Sequence, residues 1–470
     1  MLQGNPMKNT PNSPPSSAGG AAALGTASVP GLLLRYSLPA IVGMVAVSLY
    51  NIVDSIFIGR WVGPEALTAL GVAFPLMNVA FAFGMLLGIG GAAVCSIRMG
   101  SRDMDGARRV LGNVALLNVF TGAVFCGVGM AALDPVLELF GASARTIVPA
   151  RDFMRIFLLS LPIGYSLFNL THIMRASGYP YKAMAALVLT VACNVVFAPI
   201  FIKALGWGIL GAALATLCAQ AVGLVWVLRH FCDTSSSLHF TRGFWGLRWK
   251  SVRAVTAIGL APCLMNLCAC AVVGVINIAL RQHGGDAAIG AFGVVNRVLF
   301  LFVMIVMGLA QGMQPVLGYN FGARRPTRVR AALRIGVLAG TVVTSAGCLA
   351  AEVFPGVIVG MFSEDLSLAG YAVRGLRLCA LAMPLVGAQI IISNFFQSIG
   401  RAGLSAFLGL SRQCVYLIPC VLIAPRFWGV DGVWLALPIS DVLAFATCSL
   451  VFYWARRELW GVPLIRATRR

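Results

Sequence analysis

The sequence predicts an all-α polytopic membrane protein: twelve transmembrane helices in two six-helix lobes related by an internal parallel repeat. Three observations carry this reading. Of the 470 residues, 59% are hydrophobic and 11% charged, against roughly 25% charged in a soluble domain, and the mean hydropathy is +0.89. Apolar runs of about twenty residues, the length that crosses a bilayer as a helix, recur from one end of the chain to the other. One offset lays the second half of the chain over the first.

That offset is seen in "WGILGAALA" from Trp207 and "WGVDGVWLA" from Trp428, which lie 221 residues apart (428 − 207). A shift of 222 pairs Ala69 with Ala291, Gly71 with Gly293, Gly90 with Gly312 and Gly100 with Gly322. The same shift pairs Arg102 with Arg324, Pro162 with Pro384 and Gly178 with Gly400. Six spans per copy is an even number, so both copies enter the membrane from the same side. Parallel repeats of this kind occur in secondary transporters, where two lobes rock about a central site.

In chain order, residues 1–31 are rich in Pro, Ser, Gly and Ala and read as a disordered tail, with no apolar h-region of a signal peptide. The first lobe, 32–229, holds spans at 36–59, 69–96, 110–133, 151–175, 183–203 and 208–229. A polar linker, 230–253, leads to the second lobe, 254–456, with spans at 254–280, 288–316, 332–354, 372–397, 404–424 and 432–455. A basic tail, 457–470, follows. With the N-terminus inside, most of the 35 Lys and Arg fall on or beside the inner loops and tails. Such a bias sets topology, so both termini are expected in the cytoplasm. It also accounts for the net charge of +20 without a nucleic-acid partner. The thirteen cysteines are scattered, and Cys263, Cys268 and Cys270 lack metal-ligand spacing, so they read as small packing residues.

Enzymatic classes lack support. His172, His230, His239 and His283 have no acid or cysteine at co-ligand spacing, and no phosphate-binding loop follows a strand. The longest polar stretch between spans is about two dozen residues, too short for an ATPase domain.

The stretch "SLYNIVDSIFIGR" (48–60) places a carboxylate, Asp54, in an otherwise apolar span. At about 100° per residue, Ser48, Asn51, Asp54 and Ser55 share one side of the helix. Polar groups within spans usually face a bundle interior or a wet cavity. There, loss of water disfavours the charged carboxylate and a nearby cation favours it, so Asp54 is a candidate proton carrier; the alternative is a bond to neighbouring helices or water. Tyr50 joins the cavity candidates. In the second lobe, Gln389, Ser393 and Gln397 recur every fourth residue, and Asn266, Cys270 and Asn277 share a face. They either line a cavity or bond helix to helix for about 0.6 kcal/mol each. Asp441 is the second deep carboxylate, open to cation binding, proton relay or a bond to Arg297 or a hydroxyl. Arg297 lies within the eighth span, as half of an ion pair or as a contact for an anionic group.

Three stretches resemble the multidrug and toxic compound extrusion (MATE) transporters, and their MepA-like branch in particular. They are "NIVDSIFIGRWVG" in the first span, "GVVNRVLFLFVMIVMGLAQGMQPVLGYNFGARR" in the eighth, and "SRQCVYLIP" in the eleventh. The resemblance covers about 32–456. It implies two lobes of six helices and efflux of small organic compounds driven by a proton or sodium gradient. It also assigns Asp54, with Asn51 and Asn194, to ion coupling. The chain departs from the pattern in the fifth span: many relatives read N-x-x-L-D-P-x-F-I, whereas "NVVFAPIFI" keeps Asn194 but has Ala198 at the acid position. The seventh span also carries no acid, where sodium-coupled relatives have Glu. The expectation is therefore a proton-coupled antiporter of the inner membrane exporting amphipathic, cationic drugs or metabolites. It would act as a monomer in the lipid bilayer, with no cofactor beyond H+ or, less favoured, Na+. The alternatives are a lipid-linked glycan flippase and, from another class, a membrane enzyme or receptor.

Overall fold

The computed structural model describes residues 19–140, 146–241, 243, 246–361 and 366–461; the side chains of Tyr50, Asn51 and Ser55 are not among those described. The described residues form helices joined by short turns. The membrane helices are α1 (Val29–Trp61), α2 (Pro64–Gly100), α3 (Met104–Ala131), α4 (Ile147–Ala176), α5 (Pro180–Pro199) and α6 (Gly208–Cys232). They continue as α7 (Trp249–Gly285), α8 (Ala287–Gly322) and α9 (Pro326–Val353), then α10 (Ala369–Ala380 with Met383–Ser398), α11 (Ala402–Trp428) and α12 (Val430–Gly461). Eleven helices are long and apolar enough to cross a membrane, and α10 makes a twelfth as a span bent by 53°. Pro384, in the first turn of its second half, explains the break that a straight span over 372–397 does not contain. The chain expected to be tail over 1–31 is already helical at Gly19–Thr26, with Leu24 fully buried. The linker narrows to the stretch between Cys232 and Trp249.

The duplication is visible in the backbone. Left-handed residues recur at Gly63 and Gly285 (φ 117° and 68°), Arg102 and Arg324 (65° and 54°), and Gly178 and Gly400 (106° and 82°). Each pair is 222 residues apart. Arg102 and Arg324 take a conformation that non-glycine residues rarely adopt, and both sit in the same turn: the Asp103 N–H donates to the Arg98 carbonyl and the Arg325 N–H to that of Asn320, each at 2.9 Å.

Each lobe has two apolar cores, one toward each face of the membrane. In the first lobe, one core gathers Ile58, Ala69, Phe153, Ala198 and Ala212. The other gathers Leu111, Ile173 and Phe231, and takes in Val255 and Ile258 of α7. The second lobe mirrors this: its own α7 residues Val272 and Ile276 lie in one core, while Leu32, Leu33 and Tyr36 of α1 lie in the other. Helices α1 and α7 therefore begin against the opposite lobe and end within their own. Leu24, Val29 and Ala455 share a single core, so both ends of the described chain lie on one side, here the termini side.

On the termini side the lobes are sealed by glycine. A Cβ added at Gly259 would lie 1.7 Å from the Leu86 carbonyl oxygen, and one at Gly90 2.0 Å from that of Val255. Gly100 on the Tyr319 carbonyl and Gly322 on the Ile97 carbonyl, both 2.0 Å, are one contact made twice under the 222-residue shift. Gln314 Nε2 also donates across the seam to the Ile89 carbonyl (3.0 Å). The contact stripe on α2, through Gly100, Ile97, Ala93, Ile89 and Leu86, extends at the helical period to Pro75 and Gly71. At Gly71, and at its repeat mate Gly293 on α8, an added Cβ would meet nothing within 4 Å. The same faces that touch at one end are apart at the other, and a cleft opens away from the termini.

In the second lobe, α11 contains a π-helical turn, Ser411–Leu417, a distortion that re-aims side chains. From it Arg412 Nε donates to Asp441 Oδ1 of α12 at 2.7 Å. The partner of Asp441 is thus Arg412, which lies within the eleventh span, and Arg297 plays no part in the pair.

Two outcomes follow from this packing. In a protein whose native cysteines are replaced, Gly71→Cys and Gly293→Cys react with a polar maleimide supplied on the side opposite the termini. Adding Gly259→Leu, which cannot fit against Leu86, slows that reaction by at least about tenfold, a shift worth ~1.4 kcal/mol. Asp441→Asn strands a half-buried Arg412 and lowers stability by about 2 kcal/mol, read as an earlier melting transition in detergent; Arg412→Gln added to it restores part of the loss.

Candidate functional site

Helical phase separates two environments along α1. Ser37 faces Gly312, Ile41 faces Gly308, and Met44 Sδ accepts from Gln311 Nε2 at 3.3 Å, so this side of α1 meets the second lobe. Asp54 is turned about 100° from that side. It lies on the face of Gly43, whose added Cβ would come within 3.1 Å of Leu187 on α5. Helices α1 and α5 run in the same direction, and eleven residues beyond this contact on each lie Asp54 and Ala198. The carboxyl is thereby level with the position at which many relatives carry a second acid. Asp54 is 7% exposed and Ala198 fully buried.

Within the first lobe the Asp54 Oδ1 is buried and has no hydrogen-bond partner among the described residues. One turn below Ala198, buried Asn194 donates through Nδ2 to Thr216 Oγ1 on α6 (3.2 Å), and that hydroxyl donates to the Ala212 carbonyl (3.2 Å). Thr216 is the member that sequence reasoning missed; its signal is a hydroxyl in a sixth span whose other polar residues are Gln220 and the terminal Arg229. The side chains of Asn51 and Tyr50 lie outside the described residues. What the arrangement offers chemically is one carboxyl in an apolar interior, with amide and hydroxyl oxygens a turn away and, among the described residues, no cation paired with it. A proton or a small alkali cation would satisfy it.

The other predicted residues divide between lobe interior and cleft. Gln389, Ser393 and Gln397 are buried, and Ser393 Oγ reaches the Ser405 carbonyl on α11 at 3.4 Å. This stripe faces into the second lobe, where Gln389 Oε1 and Gln397 Nε2 find no partner among the described residues. Asp441 is held in the same interior by Arg412. Asn266 and Asn277 share the α7 face of Val255 and Gly259, which meets the first lobe. Asn266 Nδ2 donates to the Pro262 carbonyl (3.0 Å) and touches Met85 Sδ across the seam (3.5 Å), while Asn277 Oδ1 has no partner among the described residues. Arg297 falls on the α8 stripe between Gly312 and Gly293 that faces the cleft; it is exposed, and among the described residues no ion pair or hydrogen bond engages it.

Comparison with known proteins agrees with this geometry. The MatE family model matches the chain twice, over residues 39–200 and 262–422, one match in each lobe. The multidrug export protein MepA of Staphylococcus haemolyticus (strain JCSC1435) is 25% identical over 423 residues, covering 89% of this chain and 92% of that protein. MepA of Staphylococcus aureus (strain MRSA252) is 23% identical over 427 residues, covering 91% and 94%. Among solved structures, a MATE protein in its bent conformation superposes with a TM-score of 0.89 at 25% identity, covering 94% of this chain and 98% of that one. An outward-facing multidrug resistance MATE family transporter does so with 0.89 at 24%, covering 95% and 99%. Two matches to one family model, each covering most of one half of a duplicated helical fold, show that this chain belongs to the MATE family of multidrug efflux transporters.

Proposed function

We propose that the protein is a secondary antiporter that expels small amphipathic organic compounds from the cytoplasm, with Asp54 carrying the coupling proton. The observation that carries this is the placement of Asp54: buried inside the first lobe, with an oxygen that finds no partner among the described residues. An unpaired charge in such a place is expensive, and taking up a proton removes that cost. Ala198 supplies no second acid, so a single carboxyl does the work. Membrane potential contributes about 2.3 kcal/mol per charge per 100 mV to each cycle.

Orientation follows from the basic turns. Arg98, Arg102, Arg108 and Arg109 cluster on the termini side of the first lobe, and Arg324, Arg325, Arg328 and Arg330 occupy the matching turn of the second. Positive loops mark the cytoplasmic side. On this reading both termini lie in the cytoplasm of a cell whose inner membrane holds the protein, and the cleft opens outward. Protonation of Asp54 from outside favours release of cargo; loss of that proton to the cytoplasm favours reloading. The cleft wall on α7 suits an amphipathic body, since exposed Val273 lies one turn from Asn277 on the same face. Sodium is the second reading, because Asp54, Asn194 and Thr216 bring oxygen ligands into one interior.

Proteoliposomes separate the two ions. Export of a fluorescent substrate proceeds under a pH gradient alone and fails under a sodium gradient alone; sodium-only transport would replace the proton in this scheme. Asp54→Asn abolishes gradient-driven export while the protein still folds, and unchanged export in that variant would remove Asp54 from coupling.

A further inference from the structure

We propose that the cleft selects cargo with an anionic head, a carboxylate, sulfonate or phosphate on an apolar body, and that Arg297 holds that head. The proposal rests on the export reading and names its substrate class.

The charges of the membrane interior leave little else for the cleft wall. A carboxylate is the strongest partner for a cationic head, aromatic faces being weaker, and neither deep acid is available. Asp54 is turned about 100° away from the cleft side of α1 into its own lobe. Asp441 is 7% exposed and is bonded to Arg412 inside the other lobe. Arg297 is the one charged residue on the cleft stripes of α1, α2, α7 and α8 between the glycine seal and the open rim, among the described residues. It is exposed and unpaired, about 15 Å from the distal end of α8 at 1.5 Å per residue. A charge at that depth is tolerated where it meets water or a counter-ion, and the parted lobes supply the water. Its guanidinium has five donors and no acceptor, a geometry suited to carboxylate or phosphate oxygens.

A second arginine supports the same polarity at the closed end. Arg175 of α4 is buried, and its Nη1 donates to Gln311 Oε1 across the seam at 2.9 Å. No acid pairs with it among the described residues. When the lobes part on the termini side this neutral hydrogen bond breaks, and the guanidinium is left facing arriving cargo. Each mouth of the pathway thus presents an arginine and no carboxylate partner for it. The repeat mates of the two, Pro75 and Gln397, are uncharged, so this polarity is not inherited from the duplication.

The test is equilibrium binding to the full-length protein in nanodiscs of phosphatidylcholine, read by fluorescence with anilinonaphthalene sulfonate as the anion and ethidium as the cation. The wild type binds the sulfonate at least about tenfold more tightly than ethidium, the scale of one charge-assisted contact. Arg297→Gln removes that preference, and Arg297→Lys keeps most of it. A wild type that prefers ethidium, favours neither, or binds neither overturns the proposal, as does an Arg297→Gln variant with unchanged sulfonate affinity. Nanodiscs containing phosphatidylglycerol identify the natural occupant: weakened sulfonate binding supports the anion site with a lipid headgroup in it, and unchanged binding supports it with free cargo. Loss of proton-driven transport would sink the antiport reading and leave these affinities untouched.

Discussion

The close approach of two backbones at the termini side, permitted by glycine, is the constraint on which the rest of the structure depends. Lipid removes most of the hydrophobic drive for helix association, so packing must come from surfaces that fit closely. Gly90, Gly100, Gly259 and Gly322 let carbonyl oxygens of the opposite lobe come to distances that any side chain would block. Because the Gly100 and Gly322 contacts are the same contact under the repeat, the seal is pseudo-symmetric. The crossing of α1 and α7 reinforces it, since each delivers apolar side chains to the core of the opposite lobe. Any state that opens the termini side must separate these backbones and carry the first halves of both helices along.

The seal also sorts the ionisable groups. Near it, Arg175 is shut in against Gln311; beyond it, Arg297 stands in open space. The two deep carboxylates belong to neither surface, as each is enclosed by its own lobe. On the proposed assignment the coupling proton and the cargo occupy separate sites, one within a lobe and one between lobes. Communication between them then runs through the relative position of α1, whose first half packs on the second lobe and whose second half carries Asp54. Such coupling requires an element with two arrangements that both sites bias, and a helix shared between two cores is of that kind.

Much of the fold was legible because its causes are local or periodic. Span length and hydropathy located eleven helices, and the 222-residue shift paired Arg102 with Arg324, which the backbone places in matching left-handed turns. The bend in α10 was less visible, since a proline in a first turn is compatible with a straight start as well as with a break. The polar stripe of Gln389, Ser393 and Gln397 was correctly read as one face, but periodicity does not say which neighbour that face meets; it meets α11. For Asp441 the sequence left cation binding, proton relay and a bond to Arg297 or a hydroxyl open; the observed partner, Arg412, was not among these, because it enters the interior through a π-helical turn that no hydropathy pattern announces.

The sequence by itself determined that this chain crosses a membrane many times, that it is one bundle written twice, and that Asp54 is an unusual guest in its span. Each of these is a property of a single helix, or of a comparison between two stretches of one chain. Only the tertiary structure decided that Asp54 is turned into its lobe, that Arg297 faces the cleft, and that the cleft closes on the side of the termini. Those outcomes depend on the rotation of one helix against its neighbours and on how closely their backbones approach, and packing across residues hundreds of positions apart sets both.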